Sequence, residues 1–179
     1  NSSYFNFHII FVIKVSLNTL GHYETYKELF IYNIFEINNL NNYFTKLYDF
    51  FIYNKKTYLI FEKLDYSVKD ITMNNITFND YKKIYTDILE QMKLLHKYNI
   101  IHNDIQPQNI MYLKKNNKYN LFDFGLSYSK SYLTTEDLLL DYEMFKNIPN
   151  KYRTNNIYKK IKNNPEKIAK YYKFVSDEY

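Results

Sequence analysis

Four side chains in this sequence have the types and spacing to handle a phosphate ester. Asp104 is followed five residues later by Asn109, and fourteen residues beyond Asn109 stands Asp123, opening the triplet Asp123-Phe124-Gly125. Far upstream, Lys14 lies inside the apolar run His8-Ile9-Ile10-Phe11-Val12-Ile13-Lys14-Val15. Phosphoryl transfer needs a cation on the phosphates, hard oxygen ligands for a divalent metal, and a carboxylate to orient the attacking hydroxyl. Lys14, the pair Asn109 and Asp123, and Asp104 suit those three tasks. Each piece alone is weak, because Asp-Phe-Gly is a common turn after a strand and His102-x-Asp104 is common surface polarity. The weight lies in their order, in the Asp104-to-Asn109 spacing and in the two short strand-like runs before Asp123.

The flanking elements can hold these groups in place. Residues 8–15 read as a buried strand and residues 23–37 as a helix, with Glu28, Ile31, Tyr32 and Phe35 recurring at helical spacing. Strand-like runs at 44–52 and 57–61 meet at the turn Asn54-Lys55-Lys56. Asn79 is the expected cap of a helix running to about Tyr98, striped by Ile84, Ile88, Met92 and Leu95. Strands at 110–113 and 119–122 flank a polar turn, and a second helix is expected near Thr134, with Glu136 and Asp137 at its positive end. Residues 157–174 read as a basic terminal helix interrupted at Asn163-Asn164-Pro165.

Composition narrows the class. Hydrophobic residues make up 46% of 179, with 22 Tyr and 14 Phe, which is enough for an aromatic core. Two glycines and three prolines argue against a loop-dominated chain. Cysteine is absent, so disulfides and thiolate metal sites are excluded, and a reducing compartment such as the cytoplasm, or a host's cytoplasm, fits. No apolar run approaches the roughly 20 residues of a membrane span. The Asn, Lys, Ile, Tyr and Phe bias points to an AT-rich genome such as that of a virus, parasite or symbiont. The start at Asn1 reads as a trimmed end. Net charge is +5, and Lys159, Lys160, Lys162, Lys167, Lys170 and Lys173 suggest either a solvated face or a tail for RNA or an acidic partner.

From Phe11 to about Phe145 the chain resembles the eukaryotic-type protein kinase superfamily. The stretch Ile101-His102-Asn103-Asp104-Ile105-Gln106-Pro107-Gln108-Asn109 is similar to its catalytic loop, and Val12-Ile13-Lys14 to its lysine strand. The resemblance implies an α+β two-lobe fold. Residues 1–62 are then a small lobe, an antiparallel sheet with one helix, truncated at its start. Residues 63–179 are then a mainly helical lobe with a shortened activation segment. It implies ATP and Mg²⁺ as cofactors. Lys14 then contacts the α- and β-phosphates and pairs with Glu28, or with Glu24 one turn earlier. Asp104 is the catalytic base and Asn109 and Asp123 the metal ligands, while His102 packs beneath Asp123. Backbone from Glu62 to Leu64 then bonds the adenine, and Asp65-Tyr66-Ser67-Val68-Lys69-Asp70 is similar to the same stretch of casein-kinase-like enzymes.

The departures shape the expected function. No glycine-rich loop precedes Lys14, Asn103 stands where these kinases carry Arg, and Gln106 stands where Ser/Thr kinases carry Lys. Asp141 follows Asp123 by only 18 residues. That compactness, with Ser127 and the Glu136-Asp137 pair, is similar to the KEOPS-complex kinase, which assists tRNA threonylcarbamoyl-adenosine formation. The leading expectation is an atypical serine/threonine-type kinase whose acceptor is presented by a docked partner or by the protein's own chain. Its site would be assembled without loop phosphorylation, Asp141 reaching back to the backbone at His102 and Asn103. Two alternatives are a small-molecule kinase of the aminoglycoside or choline type and a pseudokinase scaffold. The short stretch after Asp141 argues against the first, and the presence of Lys14, Asp104, Asn109 and Asp123 together against the second.

Overall fold

The computed structural model describes residues 11–16, 19–72 and 77–146. The expected basic helix at 157–174, and residues 8–10 of the first expected strand, lie outside them. Strands β1 (Phe11–Val15), β2 (Leu47–Tyr53) and β3 (Lys56–Glu62) form an antiparallel sheet in the order β1-β3-β2. The β2–β3 hairpin turns on Asn54 and Lys55, both with positive φ (47° and 57°). That pair of left-handed residues matches the twist of the flanking strands. β2 begins three residues later than the apolar run suggests, and Phe44 and Thr45 are buried ahead of it.

Helix α1 (Thr19–Ile37) packs on this sheet. Thr25, Glu28, Ile31, Tyr32 and Phe35, three or four residues apart, form its buried face. The helix stops where Asn39 turns left-handed (φ 57°) and the Leu40 N–H reaches back to the Phe35 carbonyl at 2.7 Å.

The second half opens with β4 (Tyr66–Ser67), the short α2 (Val68–Thr72) and the long α3 (Phe78–Lys97). Asn79 does not cap α3. Thr77 does, through a reciprocal pair in which the Asp80 N–H donates to Thr77 Oγ1 and the Thr77 N–H donates to the Asp80 carboxylate. Ile84, Ile88, Met92 and Leu95 are all buried along α3, as their spacing requires. After β5 (Ile100–Ile101), a single 3-10 turn at Pro107–Asn109 leads into the hairpin β6 (Ile110–Leu113) and β7 (Lys118–Leu121). β8 (Tyr128–Ser129) then pairs with β5, and α4 (Thr135–Lys146) follows.

One aromatic-rich core joins the two halves. Phe35, Phe44, Phe61 and Tyr32 from the first half share it with Phe124, Ile88, Met92 and Leu121 from the second. The Phe124 ring meets Tyr32, Phe35 and Phe44 edge-on at 5.2–5.8 Å.

Among the described residues, strand β7 has β6 on one side and no strand on the other. Side chains of α3 take that place. Gln91, fully buried, donates from Nε2 to the Tyr119 carbonyl at 2.7 Å and accepts the Leu121 N–H at 2.9 Å. Asp87 accepts the Tyr119 N–H at 2.9 Å. Helix side chains thus satisfy backbone groups that burial would otherwise strand. Gln91→Leu keeps the volume and removes both bonds. At about 1–3 kcal/mol for each orphaned buried group, it should destabilise the fold by about 2 kcal/mol or more. Urea unfolding measures this, and a midpoint equal to that of the parent chain would contradict the assignment.

Candidate active site

The site forms where the two halves meet. Lys14 projects from β1, whose register sets it opposite Leu59. Its ammonium lies 2.8 Å from Glu28 Oε2 on α1 and 2.5 Å from Asp123 Oδ1. Of the two helix glutamates considered for Lys14, Glu28 makes the contact. Glu24 instead lies against Gly125, with its Cβ 3.2 Å from where a side chain on that glycine would begin.

Glu28 is fully buried, and its Oε1 also accepts the Phe124 N–H at 3.3 Å. Burial pushes its carboxyl up, against the pull of Lys14. Burial also draws the Lys14 ammonium down, but the two carboxylates outweigh this and hold its pKa above the ordinary lysine value.

Asp123 adopts a left-handed backbone (φ 64°), which turns its carboxylate toward β1. The Gly125 N–H donates to Asp123 Oδ1 at 3.3 Å, and an added Cβ would sit 3.2 Å from that same oxygen. Glycine is therefore the residue that this approach accommodates. The Phe122 N–H is bonded to the Asn109 carbonyl at 2.8 Å, which clamps the approach to Asp123 against the end of the Asp104 loop.

Within that loop, Asn109 Nδ2 donates to the Asp104 carbonyl at 3.0 Å and to Asp104 Oδ2 at 2.6 Å. Gln106 Nε2 donates to Asp104 Oδ1 and Oδ2 at 2.8 and 2.9 Å. Gln106 stood out in the sequence only as a departure, and its contact with Asp104 has no signature in spacing.

The donor set suits Mg²⁺. Asn109 spends its amide nitrogen on Asp104, so its side-chain oxygen is the atom that would meet a cation. Asp123 Oδ2 lies outside the bonds that hold Oδ1. Hard oxygens of this kind, completed by phosphate, are the usual Mg²⁺ environment. Lys14, Glu28, Asp123 and Asp104 carry a formal charge of −2 together, which a divalent ion would balance.

Glu62 closes β3 with its N–H on the Lys46 carbonyl at 2.9 Å, and Lys115 meets its carboxylate. Leu64 is buried just beyond. Phe61, beside Glu62, packs edge-on against Phe122 at 5.2 Å, which brings this strand end to the residue before Asp123.

Asp141 underpins the loop from α4. It is fully buried and accepts the His102 N–H at 2.9 Å and the Asn103 N–H at 2.8 Å. His96, which the sequence gave no reason to single out, adds a contact from Nε2 at 3.1 Å. Asn103 is left-handed (φ 59°), and its side chain donates to the Leu126 carbonyl at 3.3 Å. Ser127 Oγ donates to the His102 carbonyl at 3.0 Å. Farther on, Asp137 accepts hydrogen bonds from Tyr128 Oη, Lys130 Nζ and the Thr134 N–H, and the Lys130 bond leads in holding its carboxyl below the usual carboxylate range.

Among known proteins, the family model described as protein kinase domain matches residues 11–170. A relative in Dictyostelium discoideum, the probable serine/threonine-protein kinase fnkB, is 32% identical over 78 residues, 42% of this chain and 15% of that protein. Cyclin-dependent kinase-like 1 of Caenorhabditis elegans is 34% identical over 99 residues, 54% of this chain and 27% of that protein. The chain therefore spans under a third of the length of these curated relatives. The crystal structure of the PF14_0431 kinase domain superposes with a TM-score of 0.60 at 22% identity, covering 69% of this chain and 45% of that one. That likeness establishes the fold.

His102 yields a test of the packing beneath the site. It is fully buried, and its Nδ1 accepts the Asp104 N–H at 3.3 Å. Burial lowers its pKa from 6.5 despite the nearby Asp141, Asp104 and Asp123 carboxylates. The folded state therefore refuses a proton that the unfolded chain accepts, so the stabilisation is complete above about pH 6.5 and declines as pH falls below it. Urea midpoints at pH 7.5 and 5.5 should differ more for the parent chain than for His102→Asn. Equal losses in both would assign the pH dependence to other groups.

Proposed function

We propose that this chain, which belongs to the protein kinase family, is an ATP- and Mg²⁺-dependent serine/threonine-type kinase with a compact acceptor side. The observation that carries the reading is the Lys14 ammonium shared between Glu28 and Asp123, beside Asp104 and Asn109. Lys14 would meet the α- and β-phosphates, and the backbone from Glu62 to Leu64 the adenine. Asn109 and Asp123 would hold Mg²⁺, which neutralises charge on the phosphate oxygens.

Asp104 would orient the acceptor hydroxyl. The hydroxyl oxygen would bond to the γ-phosphorus as the bond from that phosphorus to the bridging oxygen of ADP breaks, and the hydroxyl proton would pass to Asp104. Serine/threonine character is supported by Pro107 in the loop and by the relatives' names.

The chain after Gly125 supports an atypical, KEOPS-kinase-like arrangement. Only a short connection separates Asp123 from α4, and the hydrogen bonds of Ser127 to the His102 carbonyl, of Asn103 to the Leu126 carbonyl and of Lys130 to Asp137 tie it down. Asn103 is neutral and offers no cation to a phosphorylated residue. The acceptor would then be presented by a docked protein rather than laid along an extended shelf.

Two outcomes are expected. Asp104→Ala should lower kcat by about 100-fold or more while Mg-ATP affinity, read by calorimetry, stays near that of the parent; Asp123→Asn should abolish Mg-dependent turnover. An equal loss of nucleotide affinity in Asp104→Ala would reassign that residue, and undiminished turnover in Asp123→Asn would remove the metal assignment. Phosphatase treatment, or alanine at the exposed Ser129, Ser131 and Thr135, should leave turnover unchanged. Ser127 and Thr134 are unsuited to this test because both hold the fold together. A large fall would reveal a phosphorylation switch.

A further inference from the structure

We infer that Gln106 is the positioning residue for Asp104, supplying through a neutral amide the constraint that fixes the carboxylate toward the acceptor. The inference rests on the kinase reading above. Its basis is the chelate geometry: one nitrogen, Gln106 Nε2, reaches both Asp104 oxygens at 2.8 and 2.9 Å, while Asn109 Nδ2 holds Oδ2 at 2.6 Å. A carboxylate gripped at both oxygens cannot rotate about its terminal torsion, which is otherwise broad. Its lone pairs therefore stay aimed in one direction, and near-attack alignment of the hydroxyl depends on that aim.

The local sequence explains why Gln106 is free for this role. It precedes Pro107, and a residue before proline is steered to extended backbone. Gln106 adopts φ −149° and ψ 158° at the start of the Pro107–Asn109 turn. Pro107 has no N–H to satisfy, the turn is closed by the Asn109 N–H on the Gln106 carbonyl at 2.8 Å, and the Gln106 side chain makes no capping bond. The amide is thus left to point sideways onto Asp104, two residues back. It is half-buried rather than part of the core, so packing does not account for its orientation.

Three variants separate this role from a structural one. Gln106→Met keeps length and removes the donor; kcat should fall about tenfold or more, with KM for ATP and the thermal midpoint unchanged. Gln106→Lys restores a donor and should recover most of kcat. Gln106→Glu sets a second carboxylate against Asp104 and should be slower than Gln106→Met. A readout independent of turnover is the ¹⁵N–¹H resonance pair of the Gln106 side-chain amide, expected to shift in Asp104→Ala. An unchanged kcat in Gln106→Met, a Gln106→Lys no better than Gln106→Met, or an amide resonance indifferent to Asp104→Ala would each overturn the inference alone. Absence of any transfer by the parent chain would overturn the kinase reading, and this inference with it.

Discussion

An ammonium drawn between two carboxylates fixes three pieces of chain at once. Lys14 comes from a strand, Glu28 from a helix and Asp123 from a loop 109 residues along the sequence. None can move without breaking a charged contact. The cost is asymmetric, because Glu28 is fully buried and would be left as an uncompensated charge without the lysine. Asp123 is partly exposed and loses less. The pair Lys14–Glu28 therefore anchors the arrangement, and Asp123 is the member that can part from the lysine at the smaller cost.

The rest of the site is built to keep that geometry. Left-handed backbone at Asn103 and Asp123, costly for residues with a side chain, persists because Asp141, Phe124 and Gly125 surround it with fixed contacts. The Asp104 loop and the segment after Gly125 are braced against each other by the β5–β8 pair and by the Ser127 bond to His102.

Much of this was legible from residue types. The first helix and the striped α3 follow from periodicity, the hairpin before Asp123 from its two short apolar runs, and Asp141 was expected to reach the backbone at His102 and Asn103. The lysine strand forms where its apolar run lies, but it is not the buried strand expected. Phe11, Val12 and Ile13 are exposed in β1, which pairs with β3 alone among the described residues. The start of α3 was misplaced by two residues because Asn79 is as good a cap by type as Thr77, and only the reciprocal bond with Asp80 separates them. The choice between Glu28 and Glu24 depended on which face of α1 turns inward, a tertiary matter. Gln91, Gln106 and His96 were beyond reach for a different reason. Each acts through a side-chain bond to a partner whose distance in sequence follows no period.

Phe124 has a pharmacological corollary. Its ring is fully enclosed by Tyr32, Phe35, Phe44 and His102. An inhibitor that occupies the space of this ring must first drive it into solvent. A phenylalanine buries some 150–250 Å², so its expulsion costs about 4 kcal/mol, on the order of a thousandfold in affinity. Inhibitors that leave Phe124 in place carry no such handicap, so the tighter binders in a compound library should be of that kind.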